Sequence, residues 1–315
     1  MSRVIALGEL LIDFTPLIGR KKIAFEQNAG GAPANVLAAA TKLGMKTSFI
    51  GCVGEDAFGR YLRNFLEKCG IGSDYLRTDP CHHTTLAFVQ LREDGDRDFS
   101  FYRNHGADKM LSPEDISEEM FERGDIFHFG SISMTDEPAK SATKKAVGLA
   151  RERGCLISYD PNLRPPLWRS LEEAKETMLS VMGEIDLLKV SEEELQFLTG
   201  EEELETGARK LEKEYKIPLL LVTRGSEGCC FLHRGEWAQV EAFRVEAVDT
   251  TGAGDSFLGA MLFQLMREGR PIPQLSLEEM RDFVGFANKT AAIVTTRYGS
   301  AEIMPSYEEV IAEKI

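Results

Sequence analysis

Short apolar runs alternate with amphipathic stretches along most of the chain. Arg3–Leu7 reads as a buried strand, Ala34–Leu43 as a helix ended by Gly44, and Thr47–Ile50 as the next strand. Phe58–Cys69 reads as a helix stopped by Gly70. Asp125–Phe129, Cys155–Tyr159, Asp186–Val190 and Leu219–Thr223 are further apolar runs of strand length. Between them lie the helix-like segments Glu137–Arg153, Leu171–Met182 and Leu204–Tyr215. Strands that alternate with crossover helices end up covered on both sides. The pattern therefore predicts an α/β fold: a doubly wound, mostly parallel central sheet with helices on both faces.

Other stretches break this alternation. Leu11–Phe25 is strand-like, punctuated by Pro16 and Gly19. Thr84–Leu91 and Asp98–Tyr102 flank the turn Glu93-Asp94-Gly95-Asp96, an Asp-Gly hairpin signal. Strands with no helix between them do not fit a parallel core. They are read as a small β-sheet lid, discontinuous in sequence, over approximately residues 11–28 and 84–104. Cys229–Leu232 and Trp237–Val240 form another hairpin around Arg234-Gly235-Glu236. No linker or internal repeat divides the chain, so residues 1–315 are expected to form one domain.

Composition narrows the partners. The 315 residues carry 51 acidic and 37 basic side chains, a formal net charge of −14. Phosphate-backbone binding needs a basic patch, so nucleic acid and acidic membranes are excluded as main partners. A small phosphate ligand is not excluded, because one helix N-terminus can hold it. The six cysteines form no C-x-x-C, and the five histidines show no zinc spacing. No run approaches 18 apolar residues, and Glu9 and Asp13 interrupt the apolar N-terminus. These features point to a cytoplasmic protein with free thiols.

The strongest local signal is Asp249-Thr250-Thr251-Gly252-Ala253-Gly254-Asp255, followed by apolar residues at helical spacing from Phe257 to Met266. A glycine-rich turn thus feeds a buried helix. Its N–H groups at Gly252, Ala253 and Gly254 would form an anion hole, reinforced by the helix dipole. Asp255 beside it suits phosphoryl transfer: the hole stabilises the phosphoryl oxygens while the carboxylate takes the proton of an attacking hydroxyl. Alone, such a turn is also a common helix start. A second turn, Gly30-Gly31-Ala32-Pro33-Ala34-Asn35, opens the helix from Ala34. Asp13 and Asn35 converging on one crevice would suit a polyhydroxylated ligand. Asp160–Trp168 places Asn162 and Arg164 after a strand, and Thr223–Gly228 is a glycine-bearing turn after another. The P-loop pattern and the G-x-G-x-x-G fingerprint are both absent, the latter arguing against an oxidoreductase.

The stretch from Asp249 to Leu262 resembles the C-terminal signature of the PfkB, or ribokinase-like, sugar kinases. Gly30–Asn35, with Gly51–Gly59 downstream, resembles their N-terminal signature. Residues 8–14, 85–91, 101–108 and 160–168 look most like the fructokinases within that family. The resemblance implies ATP-dependent, Mg²⁺-assisted transfer of the γ-phosphoryl to a primary sugar hydroxyl, with D-fructose as first choice. 2-Keto-3-deoxygluconate, aminoimidazole riboside and ribose are the competing substrates, and a catalytically silent sugar-sensing regulator is the competing class.

Carried over by motif, Asp255 is the catalytic base, Gly252, Ala253 and Gly254 are the anion hole, and Arg164 faces the phosphoryl group. Asp13, Gly31 and Asn35 would hold the sugar, with Arg103 approaching it from the lid or closing over it. Thr223, Gly225, Gly228 and Asn288 would line the nucleotide site, with Glu194 organising Mg²⁺ and phosphate. The relatives' N-x-x-E has Ser191 here in place of its Asn, and Ser191 also suits a helix N-cap. Many members hold K⁺ beside the anion hole. Asp249 and Thr251 match its ligands, with Val294, Arg297 and Gly299 as carbonyl donors. The lid positions Leu86, Phe88, Phe99 and Phe101 need apolar cover, and a second lid supplying it would give a homodimer.

Overall fold

The computed structural model describes residues 2–17, 23–91, 97–299 and 301–313, with backbone alone at 90–91 and 97–99. Gly19, the turn at 93–96 and the side chain of Phe99 therefore lie outside the described part. Thirteen strands follow in chain order among the described residues: β1 Val4–Leu7, β2 Leu11–Pro16, β3 Phe25–Gly30, β4 Thr47–Gly54, β5 Gly72–Asp79, β6 Leu86–Leu91 and β7 Arg97–Tyr102, then β8 Ile126–Gly130, β9 Leu156–Asp160, β10 Leu187–Ser191, β11 Leu219–Thr223, β12 Cys229–His233 and β13 Glu236–Val240. The helices are α1 Ala32–Lys42, α2 Ala57–Lys68, α3 Ala139–Glu152, α4 Leu171–Leu179, α5 Glu192–Thr199, α6 Leu204–Tyr215, α7 Ala253–Glu268, α8 Leu277–Thr295 and α9 Tyr307–Ala312.

Nine strands form the main sheet in the order β13-β12-β11-β10-β9-β8-β1-β4-β5. Pairing is parallel from β5 to β11, and the β12–β13 hairpin extends it antiparallel. Side chains alternate between two cores, as a sheet buried on both faces requires. Val4, Ala6, Leu219 and Leu221 pack with α1, α7 and α8 on one side. Ile5, Leu7, Leu220 and Val222 pack with α3, α5 and α6 on the other. The expected doubly wound α/β sheet is present. Among the described residues, no helix is long and apolar enough to cross a membrane.

The small sheet has the order β3-β2-β6-β7. Its first expected strand is in fact two, β2 and β3, paired antiparallel from Leu11↔Gly30 to Pro16↔Phe25. Strand β5 was not anticipated. Its sequence, GSDYLRTD, has little apolar pattern because it is the edge strand of the main sheet. One face of the small sheet carries an aromatic ladder. Phe14 stacks on Phe88 at 4.9 Å, and Phe25 and Tyr102 meet Phe88 edge-on at 5.4 Å each.

Candidate active site

A cavity of about 670 Å³ opens at the carboxyl ends of the central strands, between the main sheet and the small one. That is where open α/β sheets place ligands. Asp13, on β2, reaches it from the small sheet, and Asn35, in the first turn of α1, reaches it from the side of the main sheet. The glycines between them are required by contact. A Cβ on Gly30 would lie 2.1 Å from the Asp13 carboxylate, and one on Gly31 would lie 2.3 Å from the Glu9 carbonyl. Gly31 also has φ +124°, a conformation that other residues rarely adopt.

Asp255 lies in the first turn of α7, facing Asn35. The Asn35 amide donates to the Asp255 carboxylate at 2.8 Å. Burial pushes the Asp255 carboxyl up to about 6; Asn35 opposes that rise, Asp160 adds to it, and Lys189 and Arg164 oppose it. The group is then mostly ionised at neutral pH yet still basic enough to take a proton. Helices α1 and α7 approach closely enough to make this pair because Gly259 has no side chain. A Cβ there would lie 2.6 Å from the Ala39 methyl and 2.7 Å from the Val36 carbonyl.

Gly252 caps α7 at φ 75°, and no side chain occupies the cap. Gly252 and Gly254 line the cavity. The Ala253 N–H turns back to the Thr250 carbonyl at 3.2 Å, closing the turn. Arg164 lines the same cavity.

Arg103 lines the cavity from the side of the small sheet. It sits just past β7, only 6 % exposed, and is fixed to the body. Its Nε donates to Asp108 at 2.6 Å, and its two terminal nitrogens to Thr135 Oγ1 at 2.6 Å and to the Ile132 carbonyl at 3.0 Å. It forms a wall of the cavity and is not an arm free to close over a ligand.

Two groups were not anticipated. Lys189 projects from β10 into the cavity and donates to Asp160 Oδ2 at 2.9 Å. Burial alone would lower its pKa, but Asp160, Glu194 and Asp255 outweigh that and hold the ammonium charged. A Cβ on Gly254 would lie 3.2 Å from its Nζ, so the cation sits against the turn of the expected anion hole. The signal was a lone lysine in the otherwise apolar strand LLKVS. Glu9 is 2 % exposed and also borders the cavity. Its Oε1 accepts the Ala32 N–H at 3.0 Å, and its Oε2 is buried with no hydrogen-bond partner among the described residues. Burial raises its carboxyl to about 7. Its signal was an acid interrupting an apolar run.

Most of the remaining candidates lie beyond this cavity. Glu194 closes a capping box with Ser191, and its other oxygen accepts the Leu163 N–H at 2.7 Å, so both oxygens serve backbone groups. Thr223 sits beside Ser191 at the end of β11, with its hydroxyl on the Val190 carbonyl at 3.3 Å. Gly225 and Gly228 follow with positive φ. Asn288 spends its amide N–H groups on the Val240 and Glu241 carbonyls, at 3.1 Å each. Asp249 and Thr251 do line the cavity. Asp249 accepts the Thr251 N–H at 2.8 Å and the Gly299 N–H at 3.3 Å, which brings the loop after α8 to the turn before α7. The Val294 carbonyl accepts the Arg297 N–H, and the Arg297 side chain points away to Ile303 and Glu309.

The model of the pfkB family carbohydrate kinases matches residues 1–306. The chain is 41% identical over 312 residues to fructokinase-1 of Zea mays, covering 98% of this chain and 96% of that protein. Among solved structures, a fructokinase of Xylella fastidiosa with bound ATP superposes with a TM-score of 0.91 at 33% identity, over 99% of this chain and 98% of that one. A double mutant of the Vibrio cholerae O395 fructokinase, in fructose-, ADP- and potassium-bound form, gives a TM-score of 0.90 at 34% identity, over 99% and 98%.

Proposed function

The chain belongs to the pfkB family of carbohydrate kinases, and we propose that it transfers the γ-phosphoryl of ATP to D-fructose, giving fructose 6-phosphate and ADP. The observation that carries the reading is the Asp255–Asn35 pair, facing Asp13 in one cavity, in a chain that resembles fructokinases from end to end. Asp13, Gly31 and Asn35 hold the sugar hydroxyls. Asp255 accepts the proton as the sugar oxygen forms its bond to phosphorus and the bond to the ADP oxygen breaks. Gly252, Gly254, Arg164 and Lys189 meet the charge on the phosphoryl oxygens.

The nucleotide extends over the shelf formed by Thr223, Gly225 and Gly228. Among the described residues no group of three or more His, Cys, Asp or Glu side chains could hold a metal ion. Mg²⁺ would be held mainly by the nucleotide's phosphates and water, and would neutralise phosphate charge there. The buried Asp249 carboxylate and nearby backbone carbonyls are an all-oxygen set that suits K⁺.

A 2-keto acid substrate would need a free cation in the sugar half. Arg103 gives three of its five N–H groups to Asp108, Thr135 and Ile132 and still lines the cavity, so the sugar panel below decides between the two substrate classes. The lid's aromatic face, with Phe25 41 % and Tyr102 67 % exposed, supports a homodimer through the lid. Sedimentation at micromolar concentration would give twice the chain mass, and a monomer would remove this part. The six free cysteines, four of them buried, suit a reducing cytoplasm.

The decisive test is ADP release from Mg-ATP against fructose, ribose, 2-keto-3-deoxygluconate, aminoimidazole riboside, glucose and mannose. Turnover highest on fructose and lost in Asp255→Asn is expected. Preference for another sugar would correct the substrate alone. No turnover with any sugar, together with intact sugar binding by calorimetry, would favour a silent regulator.

A further inference from the structure

The lid joins the body through four chain crossings: out between β1 and β2, back between β3 and α1, out again before β6, and back after β7. Each pair of crossings meets on one buried acid. Glu9 lies on the first crossing and accepts the Ala32 N–H on the second, at 3.0 Å. Asp108 lies just after the fourth crossing. Its Oδ1 accepts the Thr85 hydroxyl on the third, at 2.5 Å, and its Oδ2 accepts Arg103 on the fourth, at 2.6 Å. Asp108 is 4 % and Thr85 1 % exposed.

We propose that Asp108, together with Glu9, is a positioning residue for the kinase reaction: these two carboxylates set the attachment of the lid, and hence the place of Asp13 over the sugar. Three observations support this. The packing at the joint leaves no slack, since a Cβ on Gly106 would lie 2.1 Å from Thr85 Oγ1 and 2.7 Å from Asp108 Oδ1. The joint is continuous with the strand that carries Asp13: the Ile12 N–H donates to the Thr85 carbonyl at 3.0 Å, and Asp13 pairs in register with Ala87. Arg103 then carries the joint to the body by donating to Thr135 and Ile132 while forming the cavity wall. A carboxylate is needed at 108 because it accepts from two donors at once. An amide offers one accepting oxygen and would face the second donor with its own N–H. Neither acid needs to touch the sugar for this role.

The inference rests on the proposed sugar site, and the two can fail separately. Activity of the wild-type enzyme on the sugar panel tests that site. Variants, assayed on whichever sugar the wild type prefers, test the joint. Asp108→Asn is expected to raise the sugar KM roughly 10–100-fold, the range for a lost hydrogen bond to a charged group. The ATP KM should stay near wild type, and the ratio of ADP released to sugar phosphate formed should rise above one as water competes in a loosened site. Thr85→Val, which removes only the hydroxyl, should shift the same two readouts in the same direction by a smaller factor. Thr85→Ser should restore them. A purely structural role would lower the melting temperature and leave the sugar KM and the coupling ratio alone; that result in a folded Asp108→Asn overturns the proposal. If Asp108→Asn does not fold, an unchanged Thr85→Val overturns it instead.

Discussion

The two halves of the site are built differently. The proposed sugar half is a cavity lined by charged side chains, Glu9, Arg103, Lys189 and Asp255, with Asp160 paired to Lys189 behind them. The proposed nucleotide half is an edge of strand ends and glycine turns, with its polar side chains already turned to backbone partners. Thr223 bonds Val190, Asn288 bonds Val240 and Glu241, and Glu194 bonds Leu163 and Ser191. Buried charges are costly unless paired, so every member of the first half depends on its neighbours. Backbone-bonded turns depend on little beyond themselves. Substitutions in the sugar half should therefore spread their effects, and substitutions on the shelf should stay local.

The largest effect is expected at the base. Asp255→Asn should lower kcat by roughly 10²–10⁴ while calorimetry still shows sugar binding. In the wild type, kcat/KM should fall about tenfold per pH unit below about 6, as the carboxylate protonates. A flat profile from pH 5 to 7 would remove Asp255 as the base.

Next comes Lys189. Lys189→Met leaves Asp160 buried without its counter-ion and should cost roughly 3–5 kcal/mol, read from the urea midpoint. Loss of activity with an unshifted midpoint would show that the cation serves the phosphoryl group alone.

Glu9 offers a stability test with a definite sign. Its carboxyl titrates near 4.5 when unfolded and at about 7 when folded. Its contribution is complete below pH 4.5 and is lost as pH rises through 7. The wild type should thus lose roughly 2.5 kcal/mol between pH 5 and 8 that Glu9→Gln does not lose. Equal slopes would mean the acid is already ionised in the fold.

The smallest effect is expected on the shelf. Thr223→Val removes one neutral hydrogen bond, so the ATP KM should rise only about fivefold, with the sugar KM unchanged. A large shift in both constants would erase the distinction between the halves.

Much of this was legible in the chain, and what was not has physical causes. The alternation of apolar strands and amphipathic helices reports burial on both faces, so the doubly wound sheet could be read directly. Strand β5 could not, because an edge strand needs no apolar face. That Asn35 and Asp255 would share a cavity with Asp13 could be read from the glycine-rich turns before two helices and from the acid just past the first strand. Gly252, Ala253 and Gly254 look alike in sequence, and only the turn geometry sends the Ala253 N–H inward to Thr250. Arg103 looked like a free cation because its partners Asp108, Thr135 and the Ile132 carbonyl come from later in the chain. Lys189 and Glu9 were each visible as a charge out of place in an apolar run, but the partner that makes such a charge tolerable is not written beside it.

The missing side chain at Gly259 has a consequence for how this enzyme could diverge. One turn below the base, it sets the spacing of the two helices that carry Asn35 and Asp255. An alanine there would add a single methyl to a hydrophobic interior and change no polar group. It would nevertheless drive the two helices apart and lengthen the contact that tunes the base. On the proposed role of Asp255, the pH optimum then becomes partly a property of apolar packing. Mutations drifting through the core, conservative by every measure of hydropathy, can retune the chemistry without touching a catalytic residue.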